Sequence, residues 1–75
     1  MGDYEKAIEY FKRAIKLNPN YAAAFSNTGI AFYRLGCLQK AIEYFDKAIE
    51  ADPKYVKAYN YKVLVLMEKE GIKKP

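Results

Sequence analysis

The chain has 75 residues, so it forms at most one small domain with a limited core. Its apolar content of 52% is typical of a folded protein, while a single cysteine and the lack of histidine exclude an internal disulfide and Cys–His chemistry. The net charge of +4 is modest, and lysine and glutamate alternate along the chain, which favours a solvated surface over a nucleic-acid footprint.

The first predicted helix covers residues 3–17. Asp3 is a natural N-cap at its start. Pro19 ends the helix, because proline disfavours helical backbone at the residue before it. The apolar residues recur at helical spacing and form one stripe: Ala7, Ile8, Phe11, Ala14 and Ile15.

The second predicted helix covers residues 21–35, and its only charged residue is Arg34. A helix with so little charge must be covered on most sides or must line a groove. Gly36 is expected to end it in the left-handed conformation. Gly29 lies in its middle, where glycine costs about 1 kcal/mol against alanine. This predicts a close approach of the third helix, at Ala41.

The third predicted helix, residues 37–51, repeats the first, because the peptide KAIEYF stands at Lys6–Phe11 and again 34 residues later at Lys40–Phe45. Asp52 and Pro53 stop it as Asn18 and Pro19 stop the first. A fourth helix is predicted over 55–70. The tail Ile72–Pro75 is expected to fray.

An internal period of this length indicates a stack of identical supersecondary units. Four helices joined by short turns, with no strand, predict an all-α antiparallel helical-hairpin stack that forms one domain over residues 1–75. The charged pairs Glu9–Arg13 and Glu43–Lys47 are spaced for ion pairs on the outer helix faces.

The pattern resembles the tetratricopeptide repeat, whose 34-residue unit is a helix pair with aromatic and small residues at fixed places. One complete repeat fits between Ala22 and Tyr55. Its matching positions are Phe25, Thr28, Gly29, Phe32, Gly36, Ala41, Phe45, Ala48 and Pro53, with Thr28 in place of the family's leucine. The first helix, with Gly2 before it, resembles the second half of a repeat. The fourth resembles a first half, with Val63 where the family has glycine. The resemblance implies a right-handed α-solenoid with helices in the order B, A, B, A and half repeats at both ends.

The resemblance also implies function: the A helices of this family line a concave groove that holds an extended peptide or a partner helix. Carried over by position, the groove residues are Ala23, Ser26, Asn27, Ile30, Tyr33, Arg34, Lys57, Asn60, Tyr61 and Leu64. The alternative is that the polar residues among them merely face water. Asn27 and Lys57 also match two positions of the family's carboxylate clamp, but Tyr61 replaces its arginine and cannot supply a charged fork.

The two half repeats suggest a second possibility, in which the chain stacks head to tail with no dedicated ligand. The fourth helix of one molecule would dock on the first helix of the next, and such a contact does not close on itself unless the rotation permits a ring. The residues expected in it are Ile8, Phe11, Ile15, Tyr59, Val63, Leu66 and Met67.

No other function class finds support in the sequence. The carboxylates are scattered among lysines, so neither an enzyme site nor a metal site is expected, and no glycine-rich loop suggests a cofactor. Cys37 takes an N-cap position and is interpreted as an imperfect cap. Tyrosines that recur at the repeat spacing, such as Tyr10 and Tyr44, are attributed to core packing and not to base stacking. The longest apolar run, Val63–Met67, is too short for a membrane span, and the charged start MGDYEKA is unlike a signal peptide, so a cytoplasmic location is expected.

Overall fold

A computed structural model describes residues 3–71, in which four α-helices follow one another along the chain. They are α1 (Tyr4–Leu17), α2 (Ala22–Arg34), α3 (Leu38–Ala51) and α4 (Val56–Lys69). The all-α prediction is confirmed. Each helix begins one residue later than predicted, because the predicted first residue is its N-cap. Gly2, which belongs to the resemblance, and the tail 72–75, which was expected to fray, lie outside the described residues.

The turns after α1 and α3 are built in the same way. The side-chain Oδ1 of Asn18 accepts a hydrogen bond from the backbone N–H of Asn20 at 3.3 Å. The Oδ1 of Asp52 accepts from the N–H of Lys54 at 3.0 Å. Asn and Asp favour such turns because their side chains can bond to the backbone two residues further on. The internal sequence repeat therefore produces an internal repeat in the loops as well.

The turn between α2 and α3 depends on Gly36, which adopts a positive φ of 84°. The backbone N–H of Cys37 donates to the carbonyl of Phe32 at 2.9 Å, and that of Gly36 donates to the carbonyl of Tyr33 at 3.0 Å. This pair of bonds is the Schellman arrangement, which needs a left-handed residue after the helix. The predicted role of Gly36 is confirmed.

The N-cap of α3 offers the first testable prediction. Cys37 is exposed and makes no side-chain capping bond, whereas Asp3 accepts from the N–H of Lys6 at 3.1 Å in the matching place of α1. We expect Cys37→Asp to stabilise the fold by about 0.5–2 kcal/mol, because aspartate bonds to first-turn N–H groups and meets the positive end of the helix. Thermal melting under reducing conditions measures this. Cys37→Ala, which removes the thiol without adding a cap, is the control, and a midpoint for Cys37→Asp no higher than that of the alanine variant would contradict the prediction.

Helix α2 is the centre of the packing. It contacts α1, α3 and α4, and its most extensive contact is with α3, which also packs on α4. The core cluster lies mainly on α3, where Ala41, Phe45 and Ala48 have no exposed surface, and continues to Ala58 and Val65 on α4. Helix α1, by contrast, contacts only α2 among the described helices.

The close approach predicted at Gly29 exists, but its partner is different. A Cβ atom placed on Gly29 would lie 2.8 Å from Cε1 and 2.9 Å from Cδ1 of Phe45. The prediction named Ala41 as the partner, whereas the nearest atoms belong to the ring of Phe45, one helical turn further along α3. The ring of Phe45 thus occupies the space that the missing side chain leaves.

The predicted ion pairs Glu9–Arg13 and Glu43–Lys47 do not form among the described residues. The pair that forms joins Lys62 on α4 to Asp46 on α3. The ammonium group of Lys47 lies instead 5.5 Å from the centroid of the Tyr44 ring. An exposed ion pair contributes little to the free energy of unfolding, so a contact between the cation and an aromatic ring can replace it.

Candidate functional site

The predicted concave face is carried by α2 and α4, which touch each other across the stack. Among the residues predicted for it, Arg34, Lys57 and Asn60 are exposed. Ala23, Asn27 and Leu64 are half-buried. Two cations and one amide among the predicted groove residues are therefore exposed, and a second amide, that of Asn27, is partly accessible.

Ser26 does not belong to this accessible set. It has no exposed surface, and its Oγ atom makes no hydrogen bond. Because α2 is packed against three other helices, the side that carries Ser26 is closed to a ligand. Its assignment to the groove is therefore corrected.

Three other predicted groove residues serve the core as well. Ile30, Tyr33 and Tyr61 are half-buried and pack against the core cluster. The ring of Tyr61 stacks on that of Phe45, with the centroids 5.8 Å apart. These residues present only part of their surface to solvent.

A separate apolar cleft of about 200 Å³ opens between α1 and α2. Asn27 and Ile30, both predicted groove residues, line it from α2. Tyr4, Ala7 and Phe11 line it from α1. The sequence pattern does not group these residues, because it assigns α1 to the outer layer of the stack and not to a wall beside α2.

The residues predicted for self-association fall into three classes of exposure. Tyr59, Val63 and Leu66 are 42%, 54% and 37% exposed on one side of α4. Phe11, Ile15 and Met67 are half-buried. Ile8, however, is only 7% exposed, so it already belongs to the packing within the chain and is not free to contact another molecule. Its assignment is corrected.

Tyr10 was missed as a surface residue. It was attributed to the core because it recurs as Tyr44, yet it is 74% exposed. Tyr44 is covered by the rings of Phe25 and Phe32, whose centroids lie 6.4 and 5.4 Å from its own. In the described chain no helix contacts α1 other than α2. Recurrence at the repeat spacing therefore does not predict burial, which depends on the neighbours that each helix has.

The remaining chemistry of the surface is sparse. Among residues 3–71, no three side chains of the metal-binding types come together. No helix in that range is long and apolar enough to cross a membrane. The one cysteine, Cys37, is exposed at the start of α3.

Comparison with known proteins places this arrangement in context. Residues 1–56 match a family described as tetratricopeptide repeat. An uncharacterized protein of Methanocaldococcus jannaschii is 54% identical over 35 residues, which are 47% of this chain and 41% of that protein. The photosystem I assembly protein Ycf3 of Acaryochloris marina is 43% identical over 35 residues, which are 47% of this chain and 21% of that protein. The aligned part of the chain thus spans less than half the length of either relative.

Proposed function

Because this chain belongs to the tetratricopeptide repeat family, a family of protein-interaction modules, we propose that it binds a polypeptide through the face shared by α2 and α4. The observation that supports the proposal is the contact between these two helices, which carry the predicted groove residues Asn27, Arg34, Lys57 and Asn60; the last three are exposed and Asn27 is half-buried. Amide and cationic side chains in such a place suit the backbone and the acidic groups of an extended peptide. A cytoplasmic location and a binding role without catalysis are parts of the same proposal.

Selection of peptides from a displayed random library, followed by calorimetric titration, tests the proposal. We expect Asn27→Ala with Lys57→Ala to weaken the selected peptide about tenfold to a hundredfold, because each lost hydrogen bond to a peptide or charged group removes on the order of 1–1.5 kcal/mol. Lys12→Ala with Asn20→Ala is the matched control, since it removes one lysine and one asparagine that are exposed elsewhere. Equal losses in both variants, or no peptide selected, would contradict the proposal.

We propose a polypeptide and not a nucleic acid as the partner. The described part of the face carries two exposed cations, Arg34 and Lys57, among amides and apolar groups. Binding to a single-stranded oligonucleotide would fall steeply with salt concentration, because it releases counterions. We expect the selected peptide to keep most of its affinity over a salt range that abolishes any oligonucleotide binding.

A second function, self-association through the end helices, is favoured by the exposed row of Tyr59, Val63 and Leu66 on α4. Large apolar side chains gathered on one helix face mark interaction surfaces more often than isolated ones do. A contact between one helix of each molecule is smaller than the roughly 800 Å² per partner of a stable interface, so the association should be weak and depend on concentration. Sedimentation that shows a monomer up to about 1 mM would contradict this second function.

A further inference from the structure

The exposed apolar residues at the two ends of the stack have counterparts in the middle of it. Tyr59, Val63 and Leu66 stand 34 residues after Phe25, Gly29 and Phe32, and Tyr10 stands 34 residues before Tyr44. These counterparts make the contact between α2 and α3: both phenylalanine rings lie against Tyr44, and Gly29 faces Phe45. The exposed residues are thus the two separated halves of a contact that the chain already forms once.

We infer that α4 of one molecule docks on α1 of a second copy in the register in which α2 packs on α3. The inference rests on the second proposed function, self-association, and specifies its geometry. In this register Tyr10 of one copy lies between Tyr59 and Leu66 of the other. The partner is therefore a second copy of this chain, since the sequence repeat makes the two ends complementary.

The receiving surface on α1 is open in the way this register requires. Ala7, Phe11 and Ala14 are half-buried, whereas their counterparts Ala41, Phe45 and Ala48 have no exposed surface. Ala7 borders the apolar cleft beside α2 and also an open hollow of about 440 Å³ on the surface of α1, which Tyr10 and the charged residues Lys6, Glu9 and Arg13 line as well. A helix laid over Ala7 would cover both hollows at once.

Two residues of α4 weaken the fit. Val63 stands where α2 has Gly29. A Cβ atom on Gly29 would already lie 2.8 Å from the ring of Phe45, and the ring that would meet Val63 in the docked pair is that of Phe11. Lys62 stands where α2 has the fully buried Thr28, and its charge is paired with Asp46. The docked copy must therefore displace the ring of Phe11, which lines the cleft between α1 and α2. Val63 thus lowers the affinity of this contact, so the register predicts weak association and short stacks of molecules.

This register predicts an unusual sign for one substitution. We expect Val63→Gly to tighten self-association about tenfold or more, because it removes the overlap with Phe11. A merely adhesive apolar patch would instead lose affinity with the lost apolar surface. Sedimentation velocity from about 10 µM to about 1 mM measures the change. Val56→Gly is the matched control. Val56 is 63% exposed on the same helix, but the α2 residue at the equivalent position is not among those that contact the aromatic rings of α3.

A mixing experiment tests the direction of the contact. Val63→Lys with Leu66→Glu blocks the α4 side, and Ala7→Glu with Tyr10→Glu blocks the α1 side. We expect each double variant alone to be monomeric and helical by circular dichroism. Mixed together, they should form a dimer with one molecule of each, because each still has the surface that the other lacks.

The outcomes separate the inference from the function it rests on. A wild-type chain that stays monomeric at about 1 mM overturns self-association, and the register falls with it. If the wild-type chain associates, but Val63→Gly weakens it or the mixture stays monomeric, then the register is wrong and self-association stands. If the variant blocked on α1 still dimerises alone, the contact joins two α4 helices, which also overturns the register.

Discussion

Replacing Gly29 with leucine should destabilise the fold by about 1–3 kcal/mol or more, although leucine is much the better helix former. The reason is the ring of Phe45, which has no exposed surface and lies 2.8 Å from the place of the new Cβ atom. A contact shorter than 3 Å to a buried ring forces one of the two helices to move. The midpoint of urea unfolding, with an unchanged slope, measures the loss.

A double-mutant cycle identifies the cause of this loss. Gly29→Ala adds only the Cβ atom, and it should destabilise less than leucine does. Combined with Phe45→Leu, which removes the ring, the same change should cost less than it does alone, because the two sites are in contact. If the two effects simply add, or if Gly29→Leu raises the midpoint, the ring contact is not what requires glycine.

Phe45→Ala should have the largest effect of all, a loss of about 3–5 kcal/mol. The ring is fully buried, fills the space beside Gly29 and stacks on Tyr61, so its removal opens a cavity that three helices line. In a chain of this size that loss is comparable with the whole free energy of unfolding. We expect the variant to be largely unfolded at 25 °C by circular dichroism.

The repeat supplies a matched control for this substitution. Phe11→Ala makes the same chemical change at the equivalent place of α1, where the side chain is only half-buried. It should cost clearly less, because less apolar surface leaves contact and the opening joins an existing cleft. Equal losses at the two positions would show that the burial of Phe45 does not govern its contribution.

Much of the fold could be predicted because its signals are local. Asp3, Pro19 and Gly36 act on the backbone within a few residues of themselves, so the helix ends were found to within one residue. The need for glycine at position 29 was also visible, because glycine in a helix interior has a cost that only packing can offset. The residue that packs against Gly29 could not be identified from the sequence. Ala41 and Phe45 lie one helical turn apart on α3, and the apolar pattern does not decide which of them faces position 29.

The site was harder to predict because exposure depends on what covers each helix. Ser26 and Asn27 are neighbours with similar chemistry, yet one is fully buried and the other half-exposed. Identical residues also differ: Tyr10 is exposed and Tyr44 is covered, because α1 contacts one helix and α3 contacts two. A pattern that recurs in the sequence carries no information on how many neighbours each copy has.

The single neighbour of α1 has a consequence for local stability. Its one buried residue is Ile8, whereas α3 has four. Segments with few buried contacts open at a lower free energy than the rest of a protein, so protection against hydrogen exchange should rise along the stack from α1 toward α3. Any molecule that covers α1 binds its ordered form and thereby stabilises it. Docking at this end and ordering of the first helix are therefore thermodynamically linked.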